Sequence, residues 1–323
     1  MKHAPVALVY GQDVPDGALR WLVTGATGKL GRDVVSVLGQ DPTAEVTALS
    51  KSDLDITDST AVTDAVTGHH VVVNAAAWTD VDGAETAEAI ATTVNGAGVR
   101  HLAEACAWTG ARLLHISTDY VFSGASAVPY GEDSPTSPVN AYGRSKLAGE
   151  RAVARLLPVT GYTVRTAWLY GRHGRDFVTN VLELAGRRET LDVVDDQYGQ
   201  PTWSHALAAH LVQLGRTALA GQAPAGIYHG TASGRTTWFG LARAAFELAG
   251  LDPERIRPTA SAAFVRAAER PAFGVLSHDR WQAAGLAPLP HWRISLAEAF
   301  RLRTFTAASV GTPGLLPDPP DRP

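Results

Sequence analysis

Tyr142 and Lys146 stand four residues apart in the stretch Tyr-Gly-Arg-Ser-Lys, a spacing that puts both side chains on one face of a helix. A phenol beside an ammonium is suited to acid–base work. The cation lowers the phenol pKa and can hold a ribose, while the phenol protonates a carbonyl oxygen that is receiving a hydride. The chain contains only the lysines Lys2, Lys29, Lys51 and Lys146, so such a pairing is rarely an accident. Upstream, Thr118 follows the apolar run LLHIS at residues 113–117. A hydroxyl at the carboxyl end of a parallel strand points into the ligand crevice and can hydrogen-bond the same carbonyl oxygen; capping the next turn is the alternative use of that group.

A second constellation is Thr24-Gly25-Ala26-Thr27-Gly28-Lys29-Leu30-Gly31. It follows one apolar run, residues 20–24, and opens a helical stretch. Glycines at this spacing let the backbone turn tightly and approach a pyrophosphate, and the helix start offers unpaired N–H groups to the anion. Past the second apolar run, Ser50 and Lys51 stand where an NAD-selective site places an acid on the ribose. A hydroxyl and an ammonium there suit a 2′-phosphate, which favours NADPH with NADH as the alternative. Asp55 and Ile56 fall where they would line the adenine pocket.

These groups need a scaffold that gathers strand ends, and the pattern of the chain supplies one. Short apolar runs at 20–24, 46–49, 71–77, 113–117 and 163–168 alternate with helical stretches at 31–38, 59–66, 84–109 and 142–156, the signature of βαβ units around a parallel sheet. The expected fold class is α/β: a Rossmann-type doubly wound parallel sheet with a smaller C-terminal α/β substrate lobe. After Tyr170 the regularity weakens, with helices expected at 177–185, 204–214, 238–249 and 295–304 and strands at 191–194 and 226–230. The division read from this is a disordered leader over 1–18, a dinucleotide-binding domain over 19–172 to which 204–230 returns, a substrate lobe from 173–203 and 231–306, and a Pro-rich tail over 307–323.

Composition sets the outer limits. The chain has 323 residues, 45% of them hydrophobic, and a net charge of −4, which fits a globular protein and gives no basic footprint for nucleic acid. No apolar run reaches the length of a membrane span. A single cysteine, Cys106, removes any disulfide framework and points to a reducing, cytoplasmic setting. His69-His70 has no spaced third ligand and reads as a loop cap, no residue is assigned to a metal, and Gly-x-Ser-x-Gly is absent, which argues against an α/β-hydrolase.

In order along the chain, GATGKLG, NAAAWTDVDGAE (residues 74–85), STDYVFSG (117–124), SPVNAYGRSKLAGE (137–150), RTAWLYG (165–171) and DQYGQPT (196–202) together resemble the dTDP-4-dehydrorhamnose reductase family of extended short-chain dehydrogenase/reductases. The resemblance implies an NADPH-dependent 4-ketoreductase acting on a dTDP-linked 4-keto-6-deoxysugar. It assigns catalysis to Thr118, Tyr142 and Lys146, with Asn95 joining a proton relay. It places Asn74, Ala75 and Ala76 behind the nicotinamide and Thr166, Ala167 and Trp168 on the far wall, with the Trp168 indole against both cofactor and sugar. Thr79, Asp119 and Tyr120 would shape the sugar pocket, Gln197 and Tyr198 would lie along the nucleotide, and Arg270 would neutralise a substrate phosphate. Some relatives use Mg²⁺ at a dimer interface, for which no carboxylates map here, so Mg²⁺ and the choice of monomer or homodimer stay open. A nucleotide-sugar epimerase, a 3-ketoreductase and a non-catalytic regulatory homologue are the other readings the fold permits.

Overall fold

The structure, a computed structural model, describes residues 8–10, 17–302 and 304–305. Its centre is a seven-stranded sheet: β1 (Leu8–Tyr10), β2 (Leu19–Thr24), β3 (Ala44–Leu49), β4 (Val71–Asn74), β5 (Arg112–Thr118), β6 (Gly161–Thr166) and β7 (Gly226–His229). The order is β1-β3-β2-β4-β5-β6-β7. Six strands run parallel, and β1 alone pairs antiparallel with β3. The expected leader therefore contributes an edge strand, while residues 1–7, 11–16 and the Pro-rich tail lie outside the described residues.

Alternation within a strand explains the two layers of core. Trp21 and Val23 of β2 point to one face, where helices Lys29–Leu38 and Ser204–Leu219 cover them. Leu22 points to the other, under helices Ser59–Val66 and Val99–Thr109. The run Val71–Asn74 is buried throughout, as its β-branched composition requires of a strand covered on both faces. It stops at Asn74, three residues earlier than the sequence suggests, and the Ala75–Ala76 backbone that follows passes close against Gly25 of the glycine-rich turn. The expected helix over 84–109 is interrupted as well: short turns at Val81–Ala84 and Glu88–Thr92 lead into a π-helix, Thr93–Gly98, before the regular helix begins. Such a widened turn is a frequent device near functional sites.

The later segments build a second set of cores. Tyr170, Trp203, Leu241, Trp292 and Leu296 form one cluster, and Val181, Leu191, Phe246 and Ile256 another. A parallel pair, Leu191–Val194 with Ile256–Thr259, lies in this part; the second of these strands, IRPT, carries a proline and escapes a sequence reading. Helix Asp279–Ala283 was likewise not expected, and the last helix is Trp292–Arg301. No helix of the described residues is long and apolar enough to cross a membrane.

Candidate active site

The strand order reverses at β2, whose neighbours are β3 and β4, and the crevice beyond the carboxyl ends at such a point is where ligands bind in doubly wound sheets. A cavity of about 960 Å³ opens there. Gly25 sits in the left-handed region at φ +67°, and a Cβ on it would meet the Ala76 nitrogen at 2.6 Å. A Cβ on Gly31 would lie 2.2 Å from the Gly25 carbonyl oxygen. Both glycines are therefore demanded by close backbone approach. Helices Ser59–Val66, Phe177–Ala185 and Trp238–Leu248 are capped by the side chains of Asp58, Asp176 and Thr237. Helix Lys29–Leu38 instead starts at Gly28 with no side-chain cap and no acid in its first turn. Its free N–H groups and positive dipole end face the cavity, the arrangement an anion needs.

Gly25, Thr27, Gly28, Lys29, Leu30, Gly31, Lys51, Asp55, Ile56, Ala75, Ala76, Thr79, Thr118, Asp119, Tyr120, Tyr142, Lys146 and Trp168 all line this cavity. Lys29 is nonetheless occupied. Its ammonium pairs with Asp176 at 2.8 Å and donates to the His173 carbonyl at 2.5 Å, so it ties the 171–176 segment across the groove. The Asp55 carboxylate accepts from the Thr57 N–H and hydroxyl, which holds its pKa below the usual range.

Helix Ala141–Leu156 carries the acid–base pair. Asn140 caps it by accepting the Gly143 N–H at 2.8 Å, and Gly143 packs so tightly on the Tyr120 carbonyl that a Cβ would lie 2.1 Å away. This contact sets Tyr142 beside Thr118. Lys146 is buried and donates to the Ile116 carbonyl at 2.7 Å. Desolvation pushes its pKa down to about 8, partly opposed by the Glu150 carboxylate one turn on. Tyr142 departs from expectation: its phenol is pushed up, by desolvation first and by Asp119 second, with Thr118 working the other way. The phenol is thus held protonated, as a proton donor must be. Behind the pair, Arg165 clasps Glu150 through two bonds of 2.9 and 2.7 Å, and the Ser117 hydroxyl donates to the same carboxylate at 2.5 Å.

Six expected residues lie off the cavity wall, and in five of them the polar group is bonded elsewhere. Ser50 donates its hydroxyl to Asp53 at 2.5 Å. Asn74 stitches three strands together, accepting from Thr24 at 2.7 Å and reaching His115 at 3.1 Å. The Asn95 amide accepts the Trp78 N–H at 2.9 Å and donates to Ser145 at 2.9 Å, so it anchors a loop and its side chain makes no bond to Lys146. Gln197 accepts from the Trp238 indole at 3.2 Å. Tyr198 is exposed in a short antiparallel ladder with Thr237. Arg270 pairs with Asp82 at 2.8 Å and stands over the Tyr120 ring at 6.0 Å.

Further residues complete the wall. Trp238 stacks on Trp168 with ring centroids 3.5 Å apart, and Trp168 is held at φ +47°, a conformation rare outside glycine. Gly199 leaves room for that indole, since a Cβ there would lie 2.4 Å from it. Arg32, Trp78 and the segment His173–Gly174–Arg175 also face the cavity. Of these, Arg32 follows Gly31 directly and Trp78 falls within the NAAAWTDVDGAE stretch, so the sequence offered a clue to both. His69 and His70 bind Thr47 and the Arg20 backbone, and no group of three or more metal-ligating side chains forms among the described residues.

The RmlD substrate binding domain family matches residues 19–304. The chain is 56% identical over 283 residues to a dTDP-4-dehydrorhamnose reductase of Streptomyces griseus, covering 87% of this chain and 93% of that one. It is 50% identical over 285 residues to a dTDP-4-keto-6-deoxy-D-glucose reductase of Streptomyces niveus, covering 88% and 97%. A crystal structure of the dTDP-4-dehydrorhamnose reductase of Bacillus anthracis in complex with NADP superposes with a TM-score of 0.83 at 34% identity, covering 88% of this chain and 99% of that one.

Proposed function

This chain belongs to the RmlD substrate binding domain family and is an NAD(P)-dependent oxidoreductase of the short-chain dehydrogenase/reductase type; from that premise we propose that it reduces the C4 ketone of a dTDP-linked 4-keto-6-deoxyhexose with NADPH. The observation that carries the reading is the convergence of Thr118, Tyr142 and Lys146 on one cavity with the glycine-rich turn and the uncapped helix start.

The residues present fit a dinucleotide, because the close backbone approach at Gly25 and Gly31 shapes a tight turn that leaves an uncapped helix start on the cavity wall. The nicotinamide, when bound, supplies the hydride. Lys29, Leu30 and Gly31, whose N–H groups have no backbone partner, would take the pyrophosphate. Lys51 and Arg32, which both line the cavity, would take the 2′-phosphate, Arg32 standing in for the occupied Ser50. Asp55 and Ile56 would border the adenine.

At the reacting end Tyr142 donates its proton to the carbonyl oxygen as negative charge develops there, and Thr118 donates a hydrogen bond to the same atom. Lys146, protonated below pH 8 by its pKa of about 8, offers an ammonium toward the phenol and ribose. The sheet carries the cofactor, and the C-terminal lobe contributes Trp238, whose stack with Trp168 gives a deoxysugar a flat apolar wall. Asp119 and Tyr120 close the pocket. The test is direct. Purified protein mixed with NADPH and a dTDP-4-keto-6-deoxysugar should consume nicotinamide absorbance, and Tyr142→Phe should abolish it; no consumption, with that variant indistinguishable from the parent, refutes the reading.

A further inference from the structure

Asp119 is an acid inside the site whose position the reduction itself does not explain. It is buried, lines the cavity next to Thr118, and accepts the Thr118 hydroxyl on Oδ1 at 3.1 Å. On its other side Gly274 presses against Oδ2, so closely that a Cβ would lie 2.5 Å away. Thr118 also accepts the Tyr120 N–H at 3.2 Å. A threonine hydroxyl has one proton to give. While that proton points at the Asp119 carboxylate, none is left for a substrate carbonyl.

Building on the reductase reading above, we propose that Asp119 is a positioning residue that sets the direction of the Thr118 hydroxyl, freeing its proton for the substrate carbonyl oxygen only when the Asp119 carboxyl is itself protonated. The protonated carboxyl donates to Thr118 Oγ1, and the Thr118 O–H turns into the cavity. The balance is a single proton: it resides on Asp119 in the competent form and is lost to solvent in the other, with no bond to carbon involved.

The surroundings favour the competent form near neutrality. Burial pushes the Asp119 pKa up to about 7, against the lowering effect of the Thr118 bond. The titratable groups that face it are the Tyr120 and Tyr142 phenols, both pushed upward and neutral. From the 266–274 segment the nearby cations are Arg270 and Arg266, and both are turned to Asp82. No guanidinium or ammonium is paired with Asp119 among the described residues.

The experiment is the pH dependence of kcat/KM from pH 6 to 9 in the parent, Asp119→Asn and Thr118→Val, with NADPH binding and Tm recorded for each. In the parent the alkaline limb carries two deprotonations, Asp119 near 7 and Lys146 near 8, and its slope approaches −2. Asp119→Asn, whose amide donates to Thr118 at every pH, is expected to keep only the second and show a slope near −1. Thr118→Val is expected to lose about 10²-fold in kcat/KM, the scale of one lost donor to a developing oxyanion. An unchanged slope in Asp119→Asn, with Thr118→Val impaired, overturns the Asp119 role alone; an unimpaired Thr118→Val overturns the reductase reading on which it rests. Should Asp119→Asn fail to fold, infrared titration of the protonated carboxyl band decides. Removing the Thr118 hydroxyl in Thr118→Val should move the Asp119 midpoint upward, and an unmoved midpoint sinks the proposal.

Discussion

Replacing Lys146 by methionine should abolish activity and make the protein more stable. The ammonium is buried, and desolvation brings its pKa from 10.5 down to about 8. That drop corresponds to roughly 3 kcal/mol by which the native state disfavours the charged form. Methionine keeps the length and packing of the stem and removes the charge. It also removes the bond to the Ile116 carbonyl, at a cost of roughly 1 kcal/mol, leaving a net gain of about 2 kcal/mol at pH 7. The sign with pH follows from proton linkage. Below pH 8 both folded and unfolded lysine are charged, so the parent bears the whole penalty. Between 8 and 10.5 the folded lysine is neutral while the unfolded one still holds its proton, so the parent gains stability relative to the variant as pH rises. Urea denaturation at pH 7 and pH 9.5 measures both points. A variant that is less stable than the parent at pH 7, or whose advantage does not shrink by pH 9.5, refutes the argument. The outcome would also show a site that sacrifices stability for chemistry.

Three other perturbations address separate parts of the molecule. Arg165→Leu strands the buried Glu150 carboxylate that it clasps and should destabilise by roughly 3–5 kcal/mol, with Arg165→Leu/Glu150→Leu recovering most of the loss in the same denaturation experiment. Gly31→Ala should eliminate NADPH binding by fluorescence titration, since its Cβ would collide with the Gly25 carbonyl, whereas Gly68→Ala, with φ +84° and nothing within 4 Å, should bind normally and lose only roughly 1–2 kcal/mol to left-handed backbone strain. Trp238→Ala removes the stack on Trp168 and should raise KM for the sugar nucleotide about tenfold, equivalent to roughly 1.4 kcal/mol, while leaving NADPH affinity intact; equal losses in both would place the indole pair elsewhere than on the sugar.

Local chemistry made much of this protein legible from its sequence. The glycine-rich turn, the β-branched strand before Asn74 and the four-residue spacing of Tyr142 and Lys146 each state a backbone or side-chain requirement that neighbours in the chain satisfy. The parallel alternation followed from the same short-range patterns. What the tertiary structure alone decided was where each polar group spends its hydrogen bonds. Ser50, Asn74, Asn95, Gln197 and Arg270 carry suitable functional groups, yet each is consumed by a partner, Asp53, His115, Ser145, Trp238 and Asp82 respectively, and all but Asp53 come from a distant part of the chain. Trp238 faces the cavity because a helix of the C-terminal lobe folds back on Trp168, a contact between residues 70 positions apart in the chain that no motif encodes. The upward push on Tyr142 and the downward push on Lys146 likewise come from desolvation. Spacing along a helix places two groups side by side, but the pKa of each is set by how much water the rest of the fold removes from around it.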